Sequence, residues 1–485
     1  MAVTAACLSC GPAWGEPLKL SLVEAIRGAV ERNLDIRAEL FNPAQNEADI
    51  QRSRSIYETV LGVQTNFNDM AAPSLTGGTN DSHSVAFNSS LSQLLWTGAT
   101  ASLSFNNSYT STNSSVTPGS YWQSGLGAAI SQPLLRNAGK DSTELTINVS
   151  RLTKFASMER FSNRLLGLVA QVRTEYFKLY SLREDLEVRK VSLELARKIL
   201  DETKARVKAG VLPAMEILNA EFGVVSREKD LIDAERAVSD QADVLRVLLQ
   251  LQGREEITTS DLPERGEVTV SREEALKRAA DRPDIREQKR NLEIAELQAR
   301  VLSTRTMPDL ALSASAGLGG LDRTYPRTLD RVTTFDNPYW SIGLNFSYPL
   351  GNGAAENDYR KSRLKAEQVA LQVRSLEEGV SNEVTAAVRG VVTSFKQIEV
   401  ADRGRAFAEE RLRAFMRKSE VGLATTKDVL DVENDLAATK SSQIKAVVGY
   451  ANALTRFWQS TGELLERSGV RFVEGDADRL YANTR

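Results

Sequence analysis

Histidine and cysteine are almost missing from this chain of 485 residues, which has one His and two Cys. A metal site built from His and Cys takes three or four ligands, and Cys7, Cys10 and the lone His83 do not supply one. Histidine-centred acid–base catalysis has a single residue to draw on, and it sits in a Ser/Asn-rich stretch where an ordinary loop role is expected. No nucleophile–base pair, phosphate-binding Gly loop or carboxylate dyad stands in a convincing context, and Gly317-Leu-Gly319-Gly320 reads as a turn. The residues therefore name no catalytic group, no cofactor and no metal. A basic excess is missing as well. With 61 Lys and Arg against 64 Asp and Glu, the net charge is −3 and the pI near 5.7, which argues against a nucleic-acid partner. No run of about 20 apolar residues occurs, so no transmembrane helix is available. Entry into a membrane has to be made by strands.

Both cysteines fall in the opening segment MAVTAACLSCGPAWGEP. Its short apolar run and the small-x-small sequence Ala13-Trp14-Gly15 read as the end of a secretory signal, although the basic start of such a signal is missing. Residues 1–15 are taken as this remnant, and cleavage before Glu16 leaves a mature chain without cysteine. Neither Cys7 nor Cys10 has the Leu three residues earlier that a lipid-carrying cysteine calls for.

Charge disappears altogether from Ser82 to Leu135. The stretch alternates with period two: Val85, Phe87 and Leu91, then Leu103, Phe105 and Tyr109, then Trp122, Leu126 and Ile130 fall on one parity. Ser90, Ser104, Asn106, Gly125 and Gly127 fall on the other. Period two predicts strands with one apolar face. A soluble sandwich carries Lys or Glu on its outer side; segments of about ten residues, apolar out and small-polar in, match a transmembrane barrel. A strand from Leu61 to Phe67 precedes the stretch, and Leu310–Leu318 and Trp340–Tyr348 repeat the pattern later. So few strands do not close a barrel, which takes about eight, and the barrel is expected to be shared between chains.

Elsewhere the period is helical. From about Asp141 to Lys208 apolar residues such as Leu165, Val169, Val172, Tyr176 and Leu179 follow 3-and-4 spacing, a stripe held over several heptads. At 1.5 Å per residue such a helix reaches roughly 100 Å. A second helix runs to about Leu251, and a similar pair occupies about 356–418 and 427–465. The chain also matches itself. SLVEAIRGAVERNLDI from Ser21 corresponds to SREEALKRAADRPDI from Ser271, Tyr121-Trp122 to Tyr339-Trp340, and Pro133-Leu134 to Pro349-Leu350. AGVLPAMEILNAE from Ala209 lines up with VGLATTKDVLDVE from Val421. The expected organisation is a first structural repeat over 16–265, with strands at about 60–135 and a helical hairpin at about 141–251. A second follows over 266–466, with strands at about 309–349 and a hairpin at about 356–465, and then a tail over 467–485.

These residues resemble the outer-membrane efflux protein family, the TolC-like channel-tunnels, over nearly the whole chain from about Leu18 to Leu465. The twofold order of elements carries the resemblance, with the VGLATTKDVLDVE turn its most specific part. The fold implied is an α+β membrane protein: a long coiled-coil helical barrel joined to a transmembrane β-barrel, both shared by a homotrimer. Implied with it are a position in the outer membrane of a Gram-negative bacterium with the helices in the periplasm, a periplasmic adaptor (membrane fusion) protein, an inner-membrane transporter and contact with outer-membrane lipid. Export is then passive, as efflux or type I secretion.

The resemblance places Asp428 and Asp431 at the constricted tip, with Glu216 and Asn219 in the matching positions of the first half. It gives Gly210, Val211, Leu212, Val421, Gly422 and Leu423 to adaptor docking. Threefold symmetry turns each acid into a ring of carboxylates, a device that favours cations; the lesser alternative is plain solvated acids at a helix start, welcomed by the dipole. The aromatic and arginine that latch the tip in some members are Ser419 and Ala424 here, so Lys418 or Lys427 is expected to pair with Glu216 instead. Family members carry four strands per copy and twelve per trimer; a hairpin turn at Gln93–Ala99 raises this chain to six and eighteen, and the sequence leaves that choice open. Competing readings are a coiled-coil structural or adhesive surface protein, which conducts nothing, and a soluble secreted enzyme, which needs no detergent.

Overall fold

The computed structural model describes residues 18–73, 78–113, 119–253, 255–470 and 475–482. The signal-like segment with Cys7 and Cys10 lies outside them. By packing, the chain divides into two units. One is drawn from the described residues within Met1–Asn42, Met158–Arg286 and Arg374–Asp476, the other from those within Pro43–Ser157, Glu287–Val373 and Ala477–Arg485.

In chain order, strand β1 (Leu18–Leu20) leads to helices α1 (Leu22–Arg32), α2 (Leu34–Glu39) and α3 (Phe41–Arg54). Four strands follow, β2 (Val60–Pro73), β3 (Thr79–Leu94), β4 (Thr100–Thr112) and β5 (Gly119–Pro133). Next come α4 (Lys140–Thr143), the long α5 (Leu145–Lys208), α6 (Met215–Leu249) and the short strand β6 (Ile257–Thr259). After α7 (Arg272–Ala279) and α8 (Pro283–Arg305), strand β7 (Asp309–Asp322), helix α9 (Tyr325–Thr333) and strand β8 (Pro338–Ser347) lead into α10 (Gly353–Glu420). The chain returns through α11 (Thr426–Thr461), α12 (Leu464–Arg467) and α13 (Gly475–Ala482).

The helical unit has a core made by apolar stripes of α5, α6, α10 and α11, among them Val169, Val172, Leu245, Val384 and Leu454. Burying each Leu or Val is worth about 1.5–3 kcal/mol. Two buried tyrosines tie loops onto it. Tyr176 donates from its hydroxyl to Leu20 O at 2.8 Å and accepts from the amides of Ser260 and Asp261 at 3.1 and 3.0 Å, locking the parallel pair β1–β6. Tyr450 does the same for a later loop, donating to Gly266 O at 2.7 Å and accepting from Val268 N at 3.2 Å. Among the described residues Arg173 is buried without a carboxylate in salt-bridge contact; it donates to Thr455 Oγ1 at 3.1 Å and sits 5.0 Å from the Trp458 ring centre. Burial lowers its pKa below the ordinary arginine value, and Glu264 partly offsets this.

The second unit holds one antiparallel sheet in the order β2-β3-β4-β5-β7-β8. The hairpin carrying Gln93–Ala99 is part of it: β3 runs beside β4 from Ser82↔Thr112 to Leu94↔Thr100. His83 is a strand residue, not the loop residue expected. It faces Asp69 across the β2–β3 ladder with Nδ1 2.9 Å from the carboxylate, because the register set by the alternating apolar residues extends past the uncharged core of the strand. Where the helices of this unit meet, Lys154 lies between Glu47 at 2.8 Å and Asp478 at 2.6 Å. Burial works against its charge, and the two carboxylates more than offset it, holding the ammonium pKa above its usual value.

Candidate functional site

Two regions carry the residues that the sequence pointed to: the faces of the sheet, and the turns where α5 passes into α6 and α10 into α11.

Pairing puts each parity of the strands on one side. A row across all six strands reads Leu61, Leu91, Leu103, Ala128, Ala316 and Trp340, and its neighbour on the opposite face reads Gly62, Ser90, Ser104, Gly127, Gly317 and Tyr339. One face is therefore apolar and the other small and polar, as a wall between lipid and water needs. The glycines are sterically required. A Cβ on Gly317 would meet the Tyr339 hydroxyl at 2.4 Å and Leu126 O at 2.6 Å, so this tyrosine lies across a groove that only glycine leaves open. Charged side chains in the six strands are confined to Asp69, Asp81, Asp309 and Asp322, all toward strand ends.

Helix α9 was not anticipated. It covers a polar interruption of the apolar face, where Ser124 Oγ donates to Asn107 Oδ1 at 2.8 Å with both residues buried. Thr328 O sits so close over Gly320 that a Cβ there would stand 2.2 Å away. Tyr325 packs 4.9 Å from Trp122, and Asp322 pairs with Arg331 at 2.9 Å. Pro326 at the helix start and the i, i+4 pair Thr328 and Val332 were the available signals.

Both turns have the same geometry. Gly210 and Gly422 adopt positive φ, +73° and +79°, and the residue after each glycine bonds back, Val211 N to Arg206 O at 2.9 Å and Leu423 N to Lys418 O at 2.8 Å. This is the Schellman ending, for which glycine is the natural residue. Val211, Val421 and Leu423 project outward and are at least 70% exposed; Leu212 is half-buried. The turns are braced to each other by Arg206 Nη1, which donates to Ser419 O at 2.9 Å.

The acids of the turn region divide by role. Asp428 belongs to a capping box: its carboxylate accepts from Thr425 N at 2.9 Å and from Thr425 Oγ1 at 2.7 Å, while Asp428 N donates to Thr425 Oγ1. The Thr425 hydroxyl and amide hold its pKa below the ordinary 3.8. Asp431, one turn on, is exposed and has no ion-pair partner among the described residues. Asn219 is half-buried on α6. The expected pairing of Glu216 with Lys418 or Lys427 is absent: Glu216 Oε2 is buried without a hydrogen-bond partner, and Lys418 instead lies 5.2 Å from the Phe415 ring centre. Lys418 stands in the last turn of α10, and its side chain folds back over the residue three positions earlier on the same helix.

The strongest polar contact here was missed from sequence. Arg227 on α6 donates to Glu433 Oε2 at 3.0 Å and to Leu430 O at 2.8 Å, with the side chains 12% and 4% exposed. It joins positions 206 residues apart, which no local pattern announces.

A sheet with one apolar and one small polar face, continuous in the chain with helices of 64 and 68 residues, defines an α+β protein whose strands are built to wall a membrane. Among the described residues no helix is long and apolar enough to cross a membrane. The chain belongs to the outer membrane efflux protein family, whose sequence profile matches residues 97–249 and 275–463. It is 27% identical over 324 residues to the pyoverdine export outer membrane protein OpmQ of Pseudomonas aeruginosa, a match covering 62% of this chain and 64% of that relative, just under two thirds of its length. To the outer membrane efflux protein BepC of Brucella suis it is 22% identical over 330 residues, 67% of this chain and 70% of the other. The fold is shared with solved membrane proteins. CusC superposes with a TM-score of 0.68 at 14% identity over 92% of this chain and 93% of that one, and VceC of Vibrio cholerae with 0.64 at 16% identity over 91% and 96%.

Proposed function

We propose that the chain is a passive export conduit: three copies pool their strands into one outer-membrane barrel and their helices into a periplasmic tunnel. A periplasmic adaptor and an inner-membrane pump load it, and the chain itself performs no catalysis. The observation that carries this reading is the six-stranded sheet with its sharply divided faces and two unpaired edges. In hydrocarbon an open edge leaves amide and carbonyl groups without partners, so only closure with other copies satisfies them. Duplication of helix, strands and helical hairpin over 16–265 and 266–466 supplies each copy with two hairpins for the tunnel.

At the tunnel tip, Asp431 is the better candidate for a carboxylate ring, because Asp428 is engaged in capping its own helix. Glu216 and Asn219 line the same constriction from α6. Gly210, Val211, Leu212, Val421, Gly422 and Leu423 form the adaptor surface: exposed Val and Leu on two rigid glycine turns suit a protein partner. The names of the relatives point to small-molecule cargo, as in pyoverdine export.

Planar-bilayer recording tests this. Purified protein should form discrete pores with cation preference, and Asp431→Asn should weaken that preference while leaving the pore. Absence of pores from folded, membrane-inserted protein overturns the conduit.

A further inference from the structure

We infer that β2 of one copy pairs with β8 of the next, so that all six strands of each copy wall the barrel and the trimer's barrel has eighteen strands, not twelve. The inference rests on the conduit reading and deepens it by naming the partner surface, a second copy of this chain, and the strands that meet.

Four observations support it. First, β2 and β3 are fully integrated in the sheet: the ladder β2–β3 runs from Val60↔Ser92 to Pro73↔Thr79 and β3–β4 from Ser82↔Thr112 to Leu94↔Thr100. A hairpin lying outside the barrel would leave β4 as an edge, and β4 is paired along its length on both sides. Second, the edges lack the devices that keep soluble edges apart. No Lys, Arg or Glu occurs in β2 or β8, and the one charge, Asp69, faces His83 at 2.9 Å. Third, the edge strands carry the most exposed apolar side chains of the sheet. Leu61 and Phe67 on β2 and Trp340 and Phe346 on β8 are 66–75% exposed, against 38–45% for Leu91, Leu103 and Leu126 on inner strands, which have neighbours on both sides. Fourth, the direction is right: six alternating strands leave β2 and β8 antiparallel, so the ladder continues across copies with the same two faces.

The helical unit independently presents two unlike surfaces, which is what a head-to-tail ring requires. Met215, Leu218, Phe222 and Val225 on α6 repeat at 3-4-3 spacing and are all more than 60% exposed, while Val400 and Phe407 on α10 stand seven apart at 68% and 74%. Among the described residues α11, packed between α5 and α10, exposes no large apolar side chain. A seam of α6 on the neighbour's α10 covers both stripes.

Barrel diameter grows roughly linearly with strand number, so the outer bore is about 1.5 times that of a twelve-stranded barrel. Cargo selection then falls to the tip, not the barrel. Single-particle imaging of the full chain in lipid nanodiscs tests the count. A threefold particle with eighteen strands is expected. A threefold particle with twelve strands overturns the inference and leaves the conduit standing, whereas a monomer overturns both. In a Cys7→Ser, Cys10→Ser background, cysteines placed at Val63 and Leu344 or their same-face neighbours Leu61, Thr65, Ile342 and Phe346 should oxidise to two- and three-copy bands. Cross-linking of Leu103→Cys on β4 to β8 in place of these sinks the β2–β8 assignment.

Discussion

The sheet and the turn region solve opposite problems with the same chain. In the sheet, charge is confined to a few aspartates toward the strand ends, backbone pairing provides the order and side chains differ mainly by face. At the turns, the backbone is already satisfied within helices, and side-chain charge fixes how they start and how they meet: Asp428 caps α11 through Thr425, while Arg227 on Glu433 and Arg206 on Ser419 O join different helices. The difference follows from the solvent. A wall in lipid cannot leave any backbone group unpaired, whereas helices in water are free to differ and need specific contacts to choose one arrangement.

The largest expected effect lies at the turns. Glu433→Ala strands the Arg227 guanidinium in a buried site and should cost about 3–5 kcal/mol, read from thermal or urea melting of the helical signal. Adding Arg227→Met should restore part of it, since the lone charge is then gone. If the single variant melts like the parent, charge does not organise this region.

In the sheet, neighbours on β4 separate the faces. Leu103→Arg should cost about 2–4 kcal/mol in membrane-folding experiments, the range for arginine near the midplane on a lipid face. Ser104→Arg should fold normally and alter ion selectivity of the pore. Equal penalties for the two would break the division of faces.

Thr425→Ala removes the cap of α11 and should cost about 1 kcal/mol. The effect has a definite pH sign. Asp428 titrates below the ordinary 3.8, so its contribution is complete above that value and fades as pH falls through the lowered pKa. The gap between parent and variant should narrow on acidification; a gap that widens contradicts the capping geometry. Smallest of all, Lys229→Ala on the exposed face of α6 breaks the 2.8 Å contact with Asp233 and should leave the melting curve unchanged, because both groups are solvated. A loss as large as that of Thr425→Ala would mean that surface pairs carry the helices.

Much of the fold was legible as period. Alternation of Leu with Ser and Gly marked β4, β5, β7 and β8, and heptad stripes marked the four long helices, because period reports which face is buried. At the turns the glycines and exposed valines were legible, and Thr425-x-x-Asp428 also had the spacing of a capping box, although the resemblance drew attention to its charge instead. Helix α9 was hidden in nine residues between strands, and β1 and β6 are three-residue strands whose pairing depends on Tyr176.

The sequence by itself determined the two environments of this protein: one uncharged, period-two stretch suited to lipid and two charged, heptad-striped hairpins suited to water. Hydrophobic period is local, and a chain carries it before it folds. Only the tertiary structure decided that all six strands join one sheet, that Asp428 serves its own helix, that Glu216 finds no lysine and that Arg227 finds Glu433. Those outcomes depend on distances between residues far apart in the chain, and distance is set by packing.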